Sequence, residues 1–124
     1  MDITPLIPAG RQIIQSYGDG GFRISGTRHD GSVLIFPAQT LVWPVAEVEA
    51  MTEDALAAVG LADPKVEILL VGTGARLRTI PAVLRRSLRG LGLAVDVMDT
   101  GAACRTFNVL LAEERRVAAA LIAV

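Results

Sequence analysis

Apolar and polar positions alternate along the first third of the chain, then give way to solid apolar runs separated by stretches of helical spacing. After a loose lead marked by Pro5, Pro8 and Gly10, Ile13-Ile14-Gln15-Ser16-Tyr17 reads as a strand. Gly18-Asp19-Gly20-Gly21 reads as a turn, and Phe22-Arg23-Ile24-Ser25 as a second, alternating strand. Asp30-Gly31 marks another turn. Val33-Leu34-Ile35-Phe36 then opens a strand broken or bent at Pro37, with Leu41-Val42-Trp43 beyond it. These features predict an antiparallel meander.

The pattern then changes. Thr52 precedes Glu53-Asp54 as an N-cap with acids in the first turn, and Gly60 stops the short helix so begun. Lys65 to Val71 is the next strand, and Thr79-Ile80-Pro81 opens a helix, Pro81 lying in the first turn where its missing N–H matters least. Ile80, Val83, Leu84, Leu88 and Leu91 follow helical spacing, while Arg85, Arg86 and Arg89 lie elsewhere around the same helix. Gly90 and Gly92 end it, and Leu93 to Met98 is again a strand. A last helix begins at Thr100 with Ala103, Phe107, Leu110 and Leu111 as its buried stripe. The closing apolar run, Val117 to Val124, is read as a strand because it continues the β-α-β alternation. Right-handed crossovers and a mainly parallel second half follow. The predicted fold is α/β: N-terminal antiparallel strands, then a βαβαβ half, forming a mixed central sheet flanked by helices within one domain, residues 1–124.

Composition narrows the function classes. Hydrophobic residues make up 52% of the chain and mean hydropathy is +0.48, yet Pro37, Gln39 and Pro44 interrupt the longest uncharged region. No membrane span is expected, and the apolar excess fits a sheet covered on both faces. Aromatics are only 4%, too few for a platform that stacks single-stranded nucleic acid. Residues 1–75 carry four basic groups against nine acidic ones, and residues 76–124 carry eight arginines against four acids. The second part therefore suits an acidic partner or a small anion, while the overall charge of −1 argues against nucleic acid. One cysteine, Cys104, permits neither an internal disulfide nor a multi-cysteine zinc site, and one histidine, His29, leaves a histidine metal site short of ligands. The beginning of the chain has neither a signal peptide's apolar core nor an Arg-rich presequence, so cytoplasmic residence is expected.

Two strand-to-helix junctions hold the candidate chemistry. Gly72-Thr73-Gly74 follows an apolar strand, but Leu77 stands where a dinucleotide fingerprint needs its third glycine, and no Gly-Lys-Ser/Thr follows for a phosphate loop. A flexible turn remains, with Arg76 and Arg78 at its mouth, either solvated or placed to hold a carboxylate or phosphate. Asp99-Thr100-Gly101 lies where a catalytic carboxylate would, but capping of the next helix is the commoner work of those residues. Cys104, in that helix's first turn beside Arg105, is either a thiol of lowered pKa or a small buried hydrophobe. Arg105 and Asn108 share a helix face, where they either grip a ligand or satisfy loop carbonyls.

These same segments carry a resemblance. Leu69-Leu70-Val71-Gly72-Thr73-Gly74, then Met98-Asp99-Thr100-Gly101-Ala102-Ala103-Cys104-Arg105-Thr106-Phe107-Asn108-Val109-Leu110, then Glu113 to Leu121, closely resemble a small family of unknown function. Its best-known eukaryotic relative is the mitochondrial NADH dehydrogenase (complex I) assembly factor three, and it includes an adipogenesis-associated protein and many bacterial and archaeal ones. Phe22-Arg23-Ile24-Ser25-Gly26 and Val42-Trp43 fit it more loosely. The resemblance implies a mixed central sheet partly covered by a smaller β element and by helices, and an assembly role without known catalysis. The missing presequence departs from the mitochondrial relative and fits a bacterial one.

Two functional expectations result. The first is a non-enzymatic accessory or interaction protein, with Arg85, Arg86 and Arg89 as its contact face toward a protein partner. The alternative is a small-anion-binding protein or enzyme that uses the crevice between turns 72–78 and 99–105, with Gly72, Thr73, Gly74, Arg76, Thr100, Arg105 and Asn108 around the anion. No catalytic residue, metal or cofactor is assigned. A homo-oligomer is possible if the first or the terminal strand leaves a bare edge.

Overall fold

The structure, a computed structural model, describes residues 10–124. Three short strands, β1 (Ile14–Gly18), β2 (Gly21–Ile24) and β3 (Thr27–Asp30), form an antiparallel sheet in chain order. Strands β4 (Val33–Ile35) and β5 (Thr40–Val42) leave that sheet and join β6 (Ile68–Gly72), β7 (Ala94–Met98) and β8 (Val117–Leu121) in a second one, ordered β5-β4-β8-β6-β7. The expected meander is thus divided between two sheets. Its strands differ in pattern: β2 exposes Arg23 between buried neighbours, whereas β4 is buried at every position and needs cover on both faces. Strand β3 was hidden from the sequence pattern because Thr27-Arg28-His29-Asp30 has no apolar member. Its pairing follows from the two-residue Ser25-Gly26 turn, where both residues have positive φ, the geometry that matches hairpin twist.

The large sheet is mixed. β6 runs parallel to β7 and β8, and β4 runs antiparallel to β8 and to β5. Helix α2 (Ala82–Gly90) carries the chain from β6 to β7, and α3 (Thr100–Ala112) carries it back across β6 to β8. Because the two crossovers run in opposite directions along the sheet, handedness places the helices on opposite faces. The core divides accordingly. Leu69, Val71, Ala118 and Ala120 pack with Ile80, Leu84, Leu88 and Trp43 on one face. Leu70, Val117, Ala119 and Leu121 pack with Cys104, Phe107, Leu111, Phe22 and Ile24 on the other, so the small sheet and α3 share a core. The terminal apolar run is a strand, as the alternation implied, but it is the central one and has no free edge; the outer strands are β5 and β7. Its alanines suit this place, since a strand covered on both faces needs small side chains where helix and opposing layer come close.

Local differences have local causes. The helix expected from Thr52 to Gly60 is a 3-10 turn, Asp54–Leu56, followed by α1 (Ala57–Gly60). Thr52 Oγ1 still accepts the Ala55 N–H at 3.2 Å, and the indole of buried Trp43 donates to Ala55 O at 2.7 Å, which holds the turn against the sheet. Of the expected stripe only Ile80, ahead of α2, and Leu84 and Leu88 within it are buried, while Val83 is 66% exposed and Leu91, just past the helix, 44%. Four-residue spacing makes a narrow seam, and Val83 lies about 100° around the helix from Leu84. Helix α3 closes with Glu114 N–H bonded to Leu111 O at 2.9 Å and Arg115 N–H to Leu110 O at 3.0 Å, a Schellman arrangement. Its left-handed position is occupied by Glu114, at φ 61°, instead of the usual glycine. Glu114→Gly is expected to raise stability by about 0.5–1 kcal/mol in urea denaturation, since glycine takes that conformation without steric cost.

Candidate functional site

The two junctions singled out in the sequence meet at the carboxyl ends of β6 and β7, as parallel pairing of Gly72 with Met98 requires. Gly72 permits the meeting. A Cβ there would stand 2.9 Å from Thr100 Cα, 3.0 Å from Thr100 Oγ1 and 3.1 Å from Leu121 Cδ2. The first turn of α3 therefore rests directly on the β6 backbone.

Polar groups at the junction are bonded to one another. Fully buried Thr100 accepts the Gly74 N–H at 2.9 Å and donates its hydroxyl to Ile122 O at 2.8 Å, tying the ends of β6 and β8 to α3. Its own N–H donates to Gly74 O at 2.9 Å. Thr73 N–H donates to Met98 O, Thr73 Oγ1 donates to Arg76 O at 2.7 Å, and the same oxygen accepts the Arg78 N–H at 3.0 Å. Asp99 caps α3 by accepting the Ala102 N–H at 3.3 Å, so the cap is Asp99 while Thr100 is the first helical residue. The amides of Thr73, Gly74, Arg78, Thr100 and Ala102, which an anion site would use, are all spent within the fold. Arg76 is exposed, and Arg78, also exposed, pairs with Glu49 across the surface. Of the seven anion-site candidates, Gly72, Thr73, Gly74 and Thr100 come together as a structural knot, and Arg76 stands outside it.

Arg105 and Asn108 point elsewhere, toward β1. Asn108 Oδ1 accepts the Ile14 N–H at 3.0 Å and its Nδ2 donates to Ile14 O at 2.8 Å, so one amide acts as a strand partner for β1. Arg105 donates to Tyr17 Oη at 3.1 Å on the exposed side. The tyrosine ring lies over Gly101, where a Cβ would come within 2.6 Å of the phenolic oxygen. Of the two roles the sequence leaves open for this helix face, Asn108 takes the carbonyl-satisfying one, but toward β1 and not the neighbouring βα turn; the contacts of Arg105 and Asn108 lie 88 and 94 residues away. Tyr17 was not singled out. Its only sequence signal is the strand register, which sets it opposite Phe22 and hence on the face turned to α3.

Cys104 is buried, and burial pushes its thiol from 9.0 up to about 12, against the lowering effect of the Arg105 charge and with the Asp99 charge adding to the rise. Of the two readings of Cys104 the small buried hydrophobe fits: in the shared core, loss of hydration outweighs the helix end and the guanidinium. The sign for stability follows. The unfolded thiol releases its proton near its ordinary value and the folded one does not, so stability contributed by the neutral thiol is present below pH 9 and is lost between 9.0 and about 12. Urea midpoints should fall more from pH 8 to pH 10.5 for the wild type than for Cys104→Ala. Equal losses in both chains would contradict the burial. Among the described residues no group of three His, Cys, Asp or Glu side chains could hold a metal ion.

The basic side chains of α2 are in the open. Arg86 and Arg89 are exposed, Arg85 is half-buried, and among the described residues none of the three forms an ion pair. No helix of the described residues is long and apolar enough to cross a membrane.

Comparison with known proteins places this geometry. Residues 14–122 match the family described as protein of unknown function (DUF498/DUF598). The chain belongs to that family. The chain is similar to the human NADH dehydrogenase [ubiquinone] 1 alpha subcomplex assembly factor 3, 39% identical over 109 residues that make up 88% of this chain and 59% of that protein. This DUF498/DUF598 chain thus matches little more than half the length of the assembly factor. An uncharacterised protein of Rhodobacter capsulatus is 40% identical over 114 residues, 92% of this chain and 86% of that one. Among solved structures, a Bartonella henselae protein described as an outer membrane protein superposes with a TM-score of 0.86 at 41% identity, covering 96% of this chain and 99% of the other. The Mth938-like domain of a Bordetella pertussis protein gives 0.81 at 31% identity, covering 98% and 91%. The mixed α/β architecture is that of the Mth938-like domain.

Proposed function

We propose that this chain is an accessory protein that acts by binding a protein partner, as an assembly factor does, and that it catalyses no reaction. The observation that carries the reading is the 39% identity to a complex I assembly factor over 109 residues, 88% of this chain. Two features of the fold favour it over an enzyme. The polar residues at the carboxyl edge of the sheet are engaged in holding β6, α3 and β8 together, and the one thiol is buried with a raised pKa.

The contact face is α2. Arg89 is three residues from Arg86 and four from Arg85, so it neighbours both and links them in one basic surface, and Val83 lies three residues from Arg86. Unpaired guanidiniums around an exposed apolar side chain suit a partner with an acidic rim and an apolar centre. The partner class is a subunit, or a second assembly protein, of a respiratory NADH dehydrogenase. The setting is the cytoplasm, where a lone buried thiol needs no oxidising compartment.

The test is affinity purification of the tagged chain from its own cells after mild crosslinking, beside a variant carrying Arg85→Glu, Arg86→Glu and Arg89→Glu. The wild type should bring down NADH dehydrogenase subunits or their assembly proteins, and the variant about tenfold less, as reversal of three interface charges implies. Recovery of the wild-type chain alone, or equal recovery of those proteins with both chains, would overturn the reading.

A further inference from the structure

At the opposite end of the large sheet from the Thr100 knot, three connections converge: the β4–β5 turn, the segment entering β6, and the segment joining α3 to β8. Between them is a cavity of about 310 Å³. Phe36, Pro37, Ala38, Ala62, Pro64 and Val66 form its apolar wall. Arg11, Arg115 and Arg116 stand around it, with Gln39, Asp63 and Glu114. Three guanidiniums and two carboxylates line it, and Glu67 outside the lining pairs with one of the guanidiniums, Arg116.

The arginines are not equivalent. Arg116 is held by Glu67 at 2.5 Å, which fixes its position and meets part of its charge. Arg11 is half-buried at the cavity. Arg115 has no ion pair and no side-chain hydrogen bond among the described residues. Its place is set by the close of α3, where its backbone N–H returns to Leu110 O. An apolar recess bordered by an exposed, uncommitted guanidinium fits a ligand with an apolar body and one anionic head. The guanidinium fork matches a carboxylate, and the recess removes the body from water. At about 30 Å³ for each water-sized group, the cavity holds about ten non-hydrogen atoms.

We infer that this cavity is a binding site for a small organic monocarboxylate, its apolar tail against Phe36, Ala62 and Val66 and its carboxylate on Arg115 and Arg11. The site lies outside both the Thr100 knot and the α2 surface, so its failure would leave the proposed partner contact untouched.

Sodium octanoate, whose carbon chain and carboxylate match that size, is the probe. Octan-1-ol serves as the uncharged analogue and sodium phosphate as the bare anion, each titrated into ¹⁵N-labelled full-length protein. Octanoate should move the amides of Ala38, Gln39, Ala62, Glu114 and Arg115 in a saturable way and bind at least about tenfold tighter than either control, the discrimination one charged hydrogen bond supplies. Arg11→Gln with Arg115→Gln should weaken octanoate by about ten- to hundredfold and leave octanol unchanged. Ala38→Phe, at an exposed position on the rim, should weaken both while the spectrum remains that of the folded protein. No saturable shift at these amides, octanol binding as tightly as octanoate, phosphate binding as tightly as octanoate, or undiminished octanoate binding in the double variant would each overturn the assignment.

Discussion

Thr100→Val will destabilise this protein by about 2–4 kcal/mol, although valine has nearly the shape of threonine, because two buried backbone groups lose their partner at once. The Gly74 N–H loses its acceptor and Ile122 O loses its donor, with no exposed route to water at a fully buried side chain. Helix propensity differs little between the two residues, so the effect isolates the hydroxyl. Thr100→Ser keeps the hydroxyl and deletes a methyl group, and should therefore cost about 1 kcal/mol. Urea denaturation followed by the fluorescence of Trp43, the sole and buried tryptophan, reads these differences directly. A valine variant as stable as the serine variant would show that the hydroxyl holds nothing together.

The second large effect belongs to Gly72→Ala. The added methyl would meet the Cα of Thr100 at 2.9 Å, and a backbone atom inside a helix cannot swing aside as a side-chain tip can. Helix α3 must lift from β6, lengthening the Gly74–Thr100 hydrogen bond as it does. The expected cost is about 1–3 kcal/mol after the gain from a stiffer unfolded chain. Gly90→Ala is the control: nothing lies within 4 Å of the added carbon at the end of α2, and stability should rise by about 0.5 kcal/mol. Because Gly72 and Thr100 serve one contact, the Gly72→Ala, Thr100→Val double variant should lose less than the sum of the single losses. Full additivity in that cycle would mean that the two residues act separately.

The relation between sequence and site is clearest at α3. Helical spacing identifies Ala103, Phe107, Leu110 and Leu111 as its buried side; Ala103, Phe107 and Leu111 are buried, and Leu110 is half-buried. The same spacing placed Arg105 and Asn108 on a second face, yet nothing local could show that β1 would run along that face. Their partners depend on the small sheet folding over α3, a long-range event. Cys104 illustrates the same limit in electrostatics. Its neighbours in sequence, a helix end and an arginine, argue for a lowered pKa, but the packing of Phe107, Leu70 and the small sheet determines hydration and reverses the direction.

What the chain determined by itself was whatever depends on short range. The β-α-β rhythm, the breaks at Gly60, Gly90 and Gly92 and the two strand-to-helix junctions all follow from local periodicity and turn chemistry. So does the basic surface of α2, since Arg89 lies three residues from Arg86 and four from Arg85. Tertiary structure alone decided that the meander divides between two sheets, that the last strand becomes the central one, and that the glycine and threonine turns close on each other. The physical reason is common to all three. Pairing and burial at those places are settled by residues dozens of positions away, and a strand of small apolar side chains carries no mark of which neighbours will cover it.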